Sequence, residues 1–436
     1  MNKFDLIVIG AGPGGYETAA EAAASGLAVA LIERGELGGT CLNRGCIPTK
    51  ALCKSAEMAL NVSEAAQFGV NVSGFSFNYA VAAARKDEVV KALQEGVKMA
   101  VSKCTVIQGE AKFVSGDTVE INGELYCAPR IILATGSQPA QLPIPGAEYA
   151  ISSDKLLSLT ELPPRVVIVG GGVIGMEFAS ILNAFGVEVT VIEYMKEILP
   201  PFDKDIAKRL RMSLSRRGIN IITSAAVKEI RHDHTVVYDS KGKENEVAAD
   251  MVVMAVGRRA VVPAGLENTM VEVGRRGIEV DENFMTAQPG IYAIGDVNGV
   301  MMLAHAASAQ GKRVLGHDIN LAVIPSAVFT TPECAMVGLT EEQCKDKGID
   351  YKSVKVPFRG NGKALAMGEP DGLLKLIVDK ATRQILGCHI CGPHAADLIA
   401  EPAVVMSQNL TVDAICDTVH SHPTLTEVLA VAAGQF

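Results

Sequence analysis

The chain has 436 residues, room for about three domains of ~150 residues, which excludes a single small binding module. Hydrophobic residues make up 48% and charged residues 20%, with 42 glycines and no triplet repeat, which excludes a disordered or collagen-like chain. A net charge of -9 without a long basic run excludes nucleic acid as a natural partner, and no apolar run approaches the ~18 residues of a membrane span.

The first element begins at Phe4, where FDLIVIGAGPGG reads as a buried strand running into Gly10-x-Gly12-x-x-Gly15. The apolar start stops at glycines, so it is a strand and not a signal peptide. A small-residue helix to Gly26 and a second strand ending at Glu33 follow. Together these form a complete βαβ dinucleotide fingerprint. The glycines permit a tight turn, close approach of backbone amides to a pyrophosphate and close helix packing, and the terminal acid accepts hydrogen bonds from ribose hydroxyls.

GELGGTCLNRGCIPTK comes next, with Cys41 and Cys46 ahead of a helical pattern over 51–60. Five residues of regular helix rise roughly 7.5 Å, too far for an unstrained disulfide, but Gly45 and Pro48 can distort the first turn. A strained disulfide at a helix start, near Arg44 and Lys50, is easily reduced and yields a stabilised thiolate. Spacing by itself slightly favours two structural cysteines. Their position between two nucleotide-binding units reverses that preference.

The second unit starts at VVIVGGGVIG, with Gly170, Gly172 and Gly175, a helix to Gly186 and a strand ending at Glu193. Gly10, Gly12, Gly15, Gly26 and Glu33 each recur 160 positions later, so the chain contains two copies of one module and should hold two dinucleotides. LATG, ending at Gly136, and MAVG, ending at Gly257, each close a strand. From Glu33 to Gly136 is 103 residues and from Glu193 to Gly257 is 64, so the first copy carries 39 more. That insert contains the cysteine pair and is the expected source of chemistry.

Later segments carry weaker signals. Cys388-x-x-Cys391 lies in an alternating stretch that reads as a strand pair, which favours buried structural thiols over a metal or thioredoxin site. His232 and His234 flank Asp233 in a solvated turn, and no metal site is expected. Cys53, Cys104, Cys127, Cys334, Cys344 and Cys416 show no pairing pattern. His422 precedes Pro423, which holds it extended, and Glu427 lies in the first turn of a terminal helix, where its carboxylate can orient the imidazole. A lone histidine of this kind is ordinarily a packing residue beside a capping acid. Ten cysteines in a chain this long point to a reducing cytoplasm with mostly unpaired thiols.

GGTCLNRGCIPTK, GPGGY, ATGSQP, TAQPGIYAIGDV, LAHAAS and HSHPTLTE together resemble the flavin-dependent pyridine nucleotide-disulfide oxidoreductases over essentially the whole chain. Within that family the resemblance is nearest to members that oxidise dihydrolipoamide. It implies an α/β fold of two Rossmann-like dinucleotide-binding domains plus a C-terminal α+β dimerisation domain. The segments are 1–145 for FAD, 146–262 for NAD, 263–322 completing the FAD site and 323–436 as the interface. It implies FAD contacts at Gly10, Gly12, Gly15, Glu33, Thr40, Lys50, Gly136, Asp296 and Ala304, and NAD contacts at Gly170, Gly172, Gly175, Glu193 and Gly257. The insert lies in the first module, so the cofactor there exchanges electrons with sulfur, which suits a flavin. Glu193, followed by Tyr194 and Met195, would repel a 2'-phosphate, so NAD is expected over NADP.

The same resemblance implies that Cys41 and Cys46 form the redox disulfide. It makes His422 and Glu427 the acid-base pair, acting across a homodimer, and Lys50 and Glu177 an ion pair near the flavin. The lipoyl group would come from a partner in a 2-oxoacid dehydrogenase or glycine cleavage assembly. The chain departs from the family pattern in apparent trimming near 98–105 and in ending nine residues after Glu427. Alternatives are an NAD(P)H-dependent reductase of another small disulfide and a catalytically idle flavoprotein subunit.

Overall fold

The computed structural model describes residues 1–436, which divide into two units. The first comprises Met1–Ala51, Ala80–Ala140 and Arg258–Leu321; the second comprises Leu52–Tyr79, Gln141–Gly257 and Ala322–Phe436. Neither is continuous in the chain: the first unit takes the edge strand Ile291–Ala293 from a later segment, and the second adds 52–79 and 322–436 to the segment that holds its whole parallel sheet.

In the first unit five parallel strands lie in the order Ile291–Ala293, Ile131–Leu133, Leu6–Ile9, Val29–Glu33 and Thr105–Gln108. Leu6–Ile9 is buried along its whole length, as a parallel strand covered on both faces must be. Ile7 and Ile9 join Phe113, Ile121 and Ile291 in one cluster, while Leu6 and Val8 join Ala19, Ala22 and Leu31 in another. The first cluster is closed by a four-stranded sheet in the order Asn2–Lys3, Glu124–Cys127, Thr118–Ile121 and Lys112–Ser115. The helix Pro13–Ala24 starts with proline at a first-turn position, where a missing N–H costs nothing. It lies directly against the helix Ala304–Val314. A Cβ at Gly14 would stand 2.9 Å from the Ala307 Cβ, and one at Gly311 would stand 1.9 Å from the Thr18 hydroxyl.

The second unit repeats the sheet, with parallel strands in the order Ile151–Ser152, Met251–Met254, Arg165–Val169, Glu188–Ile192 and Asn220–Ile222. The added residues of the first copy are now localised. From Glu33 to the strand at Thr105 is 72 residues, against 27 from Glu193 to Asn220, while the following stretch to Gly136 or Gly257 is 31 against 37. The insert is therefore wholly in one crossover, where helices Gly39–Arg44, Cys46–Glu64 and Tyr79–Ala100 replace the single helix Lys204–Arg216.

The same unit contains a C-terminal antiparallel sheet in the order Ser326–Val328, Glu333–Gly338, Ile385–Gly392, Leu373–Asp379 and Tyr351–Pro357. Helices Ala400–Ser407 and Glu427–Ala433 help cover its apolar core. Lys375, only 2% exposed, reaches from this sheet to Asp203 at 2.9 Å, Asp205 at 2.8 Å and Glu341. Burial opposes the Lys375 charge, yet these three carboxylates hold its ammonium above its ordinary range. No helix is long and apolar enough to cross a membrane.

Candidate redox-active site

The two glycine loops are superimposable in their constraints. A Cβ at Gly15 would fall 1.8 Å from the Gly10 carbonyl oxygen, and one at Gly175 would fall 2.0 Å from that of Gly170. Gly10 and Gly170 have φ of +102° and +109°, and their hypothetical Cβ atoms would strike the carbonyls of Ala134 and Ala255 at 2.3 and 2.4 Å. Those carbonyls belong to the LATG and MAVG segments, so the turns that follow the strands Ile131–Leu133 and Met251–Met254 and lead to Gly136 and Gly257 abut the loops. The middle glycines differ. A Cβ at Gly172 would meet nothing, and one at Gly12 would meet only the Gly39 Cα at 4.0 Å. The protein's own packing therefore requires the first and third glycines, while the second keeps clear a space suited to a ligand. Both loops fit a dinucleotide pyrophosphate on this ground, at the N-termini of twelve-residue helices.

The terminal acids are matched as closely. The Glu33 carboxylate accepts the Ala11 amide at 2.7 Å and the Gly35 amide at 2.8 Å; Glu193 accepts Gly171 and Met195, both at 2.6 Å. Each oxygen retains capacity for a further donor, as contact with ribose hydroxyls requires.

The redox segment is built directly on the first loop. The Gly38 amide donates to the Ala11 carbonyl at 2.8 Å, and a Cβ on Gly39 would lie 2.6 Å from the Gly12 Cα, so backbone rests on backbone. Cys41 lies in the short helix Gly39–Arg44, and Cys46 opens the helix Cys46–Glu64. The break expected between them occurs at Gly45, where a Cβ would press on the Thr40 carbonyl at 2.9 Å. Thr49 ties the second helix to that break through its hydroxyl, 2.6 Å from the Gly45 carbonyl. Asn43 was not foreseen. Its amide donates to the carbonyls of Leu37 and Gly39, both at 3.0 Å, and accepts from Gln94 at 2.7 Å, bracing the loop against helix Tyr79–Ala100. An amide between two cysteines was the only available signal.

Cys41 and Cys46 stand as a hydrogen-bonded pair, with Cys46 the more exposed. The stabilised thiolate expected of this segment does not fall on Cys41. The hydrogen bond to Cys46 and then burial push its thiol well up, against a smaller opposing pull from Lys50. Cys46, at the first position of a 19-residue helix, occupies the place where the helix dipole favours an anion. Tyr16 belongs to the same neighbourhood: burial and the Glu17 carboxylate push its phenol up to about 12, with a contribution from Cys41.

Asp296 lies in the turn Gly295–Asn298, after the edge strand of the first sheet, and accepts the Ser137 hydroxyl at 2.5 Å. Arg258 donates to the Ser137 hydroxyl at 2.7 Å and carbonyl at 2.8 Å, and its guanidinium is 3.5 Å from the Thr40 hydroxyl. This chain of contacts joins two expected positions, Thr40 and Asp296, through Arg258 and through Ser137, the residue after Gly136, neither of which the sequence reading named. Ala304 starts the helix packed on Pro13–Ala24.

In the second unit His422 Nδ1 is 2.8 Å from Glu427 Oε1, and Glu427 Oε2 accepts the Thr424 amide at 2.9 Å. The Thr424 amide first, and then His422, hold the Glu427 carboxyl below its ordinary range. With Nδ1–H on the carboxylate, Nε2 is left as the basic nitrogen of a side chain that is 80% exposed. The chain bends at His422, where extension was expected, and the following peptide is cis. Glu177 is buried in the helix Val173–Ala184 and accepts the Phe329 amide at 2.9 Å.

Cys388 and Cys391 are buried on one strand of an antiparallel pair, as read from the sequence. Cys334 is not without a partner pattern: it sits directly across the sheet from Cys391 and hydrogen-bonds to it, a pairing that a separation of 57 positions concealed. His232 and His234 do lie in the turn between two strands.

Residues 4–311 match the pyridine nucleotide-disulphide oxidoreductase family profile, and residues 324–433 match that family's dimerisation domain. A dihydrolipoyl dehydrogenase from Chlamydia pneumoniae is 41% identical over 445 residues, covering 99% of this chain and 96% of its own. One from Bacillus subtilis strain 168 is 39% identical over 463 residues, covering 99% and 97%. Among solved structures, the HOCl-induced flavoprotein disulfide reductase RclA from Escherichia coli aligns with a TM-score of 0.87 at 31% identity, covering 99% of both chains. With both of its parts matched and full-length relatives near 40% identity, the chain belongs to the pyridine nucleotide-disulphide oxidoreductase family.

Proposed function

We propose that this protein oxidises dihydrolipoyl groups with NAD, through a Cys41–Cys46 disulfide and bound FAD, as a homodimer. The observation that carries the reading is the placement of the cysteine segment on the first glycine loop by the Gly38–Ala11 hydrogen bond and the Gly39–Gly12 contact. Sulfur chemistry is thereby joined to one dinucleotide module only. The first loop, with Glu33, Thr40, Lys50, Gly136, Asp296 and Ala304, holds FAD, and residues 263–322 complete that site. The second loop, with Glu193 and Gly257, holds NAD. The absence of a nearby arginine after Glu193 favours NAD over NADP.

His422, oriented by Glu427, takes a proton at Nε2 from one thiol of the dihydrolipoyl group, on the redox pair of the partner subunit. The resulting thiolate attacks Cys41 Sγ; the Cys41–Cys46 bond breaks and Cys46 leaves as thiolate. The second lipoyl thiol, deprotonated in turn, attacks the lipoyl sulfur bound to Cys41. The cyclic lipoyl disulfide departs and Cys41 is released, so two electrons and two protons have passed to the protein. Bound FAD supplies the two-electron relay from sulfur to nicotinamide. Lys50 supports the relay as a charged neighbour of the redox pair. The lipoyl group is supplied by a partner protein of a multienzyme assembly in a reducing cytoplasm.

A second reading, reduction of another small disulfide by a reduced nicotinamide, is favoured by the likeness to the reductase RclA. Steady-state turnover of purified protein separates them. The proposal expects NADH formation from dihydrolipoamide and NAD. Absence of that turnover, with NADPH-driven reduction of glutathione-like disulfides, would overturn it.

A further inference from the structure

The backbone of the loop carrying His422 is held only at the Ser421 carbonyl, which accepts the Thr424 hydroxyl at 2.7 Å, and at the Thr418 carbonyl, beside the His420 ring. The amides of Val419, His420, Ser421 and His422 donate to no protein acceptor, and Val419 is 96% exposed. Downstream the chain is secured, because the Thr424 amide bonds Glu427, Asn361 donates to the Thr424 carbonyl at 3.0 Å, and Leu425 is buried. Upstream, the anchor is a side chain. The His420 ring is 8% exposed, against 80% for His422 two residues later. Its Nδ1 lies 2.9 Å from the Thr418 carbonyl and its Nε2 lies 2.9 Å from Glu401 Oε1. Both partners are acceptors, so whichever ring nitrogen carries a proton donates to one of them and ties the ring in place. The result is a partly buried His420–Glu401 contact between the base-bearing loop and the helix Ala400–Ser407.

We infer that His420 is a positioning residue for the base His422, acting through Glu401; the inference rests on the dihydrolipoyl-oxidising reading above. His420 itself is sequestered where His422 is open. Its role is to pin one end of a segment whose other end is pinned at Thr424, so that His422 Nε2 is presented in one place. It also adds, behind Thr424 and His422, to the field that keeps Glu427 ionised. Displacing a reacting group by about 1 Å can cost on the order of 100-fold, so a loop released at His420 should lose proton abstraction while keeping substrate and cofactor contacts.

The test uses holoenzyme carrying H420A, E401A, E401Q or H422Q. Two rates are followed: flavin reduction by dihydrolipoamide in a single turnover, and NADH-driven reduction of ferricyanide, which needs neither sulfur nor a base. The expected result is a loss of about 10- to 100-fold in the first rate for H420A and E401A, with the second unchanged. E401Q, which keeps an acceptor oxygen, should stay within about threefold of wild type, and the double variant H420A/E401A should be no worse than either single one. The inference is overturned if H420A keeps the dihydrolipoamide rate within twofold, if both rates fall together, or if the two single losses multiply in the double variant. Wild type without a dihydrolipoamide reaction would instead overturn the functional reading and this inference with it. A defect confined to H422Q would overturn this inference alone.

Discussion

Replacing Gly172 and Gly175 by alanine separates what the second loop does for the protein from what it does for a ligand. Gly172 is the N-cap of its helix with φ -73° and ψ -175°, a conformation open to alanine, and an added Cβ would touch nothing. Gly172→Ala should therefore leave the apparent melting temperature unchanged or raise it by about 2 °C, through the ~0.4–1 kcal/mol gained by restricting the unfolded chain. At Gly175 the Cβ would lie 2.0 Å from the Gly170 carbonyl oxygen, so the turn must open. A strain of ~1–3 kcal/mol lowers the melting temperature by about 3–10 °C. Affinity should respond in the opposite sense. If Gly172 clears the approach of a pyrophosphate, its methyl displaces one charge-assisted amide contact worth ~1.5–3 kcal/mol, and the KM for NAD rises about 10- to 100-fold. FAD content, measured by flavin absorbance after gel filtration, should be unaffected, because the first loop is untouched. Thermal melts and NAD titrations of the two variants provide the assay. A Gly172→Ala protein with an unchanged KM for NAD, or one destabilised as much as Gly175→Ala, would refute the division between packing and ligand glycines.

Glu427→Gln cannot accept both the His422 ring and the Thr424 amide as the carboxylate does, so dihydrolipoamide-dependent flavin reduction should fall about 10- to 100-fold while NADH-ferricyanide turnover holds. Because the folded carboxyl is held below its ordinary 4.5, its stabilising contacts are complete above about pH 4.5 and fade only as pH falls through the depressed value; an NMR titration showing Glu427 protonating above its ordinary range would contradict this. Lys375→Met strands the fully buried Asp203 carboxylate and should cost ~3–5 kcal/mol, partly recovered by adding Asp203→Asn; a wild-type melting curve for the single variant would rule out the buried cluster. Since the Lys375 ammonium is held above its ordinary 10.5, this contribution is complete below that pH and is lost only as pH rises through the still higher folded value. Thiol alkylation with peptide mapping should mark the exposed Cys416 in the native protein and leave Cys334, Cys344, Cys388 and Cys391 unmodified until it is unfolded; comparable native labelling of Cys334 or Cys391 would refute their burial.

The sequence alone determined the parts of this protein whose constraints are local. Gly10, Gly15 and Glu33, and their counterparts Gly170, Gly175 and Glu193, are dictated by close approach within one turn and by amides a few residues away along the loop. Such requirements recur at a constant spacing, which made the two modules legible. The break at Gly45 was legible for the same reason, since a glycine between two cysteines has few other uses. What only the tertiary structure decided are contacts between segments far apart in the chain. The seating of Gly38 on Ala11, the Arg258–Ser137–Asp296 relay, the Cys334–Cys391 pair and the buried Lys375 cluster all depend on which strands become neighbours. His420 shows the difference most clearly. In sequence it is one of two histidines beside a proline, and only the helix bearing Glu401 covers the one while the other stays exposed. A residue's chemistry can be read from its type and neighbours, but its protonation partner and exposure are set by packing that spans the chain.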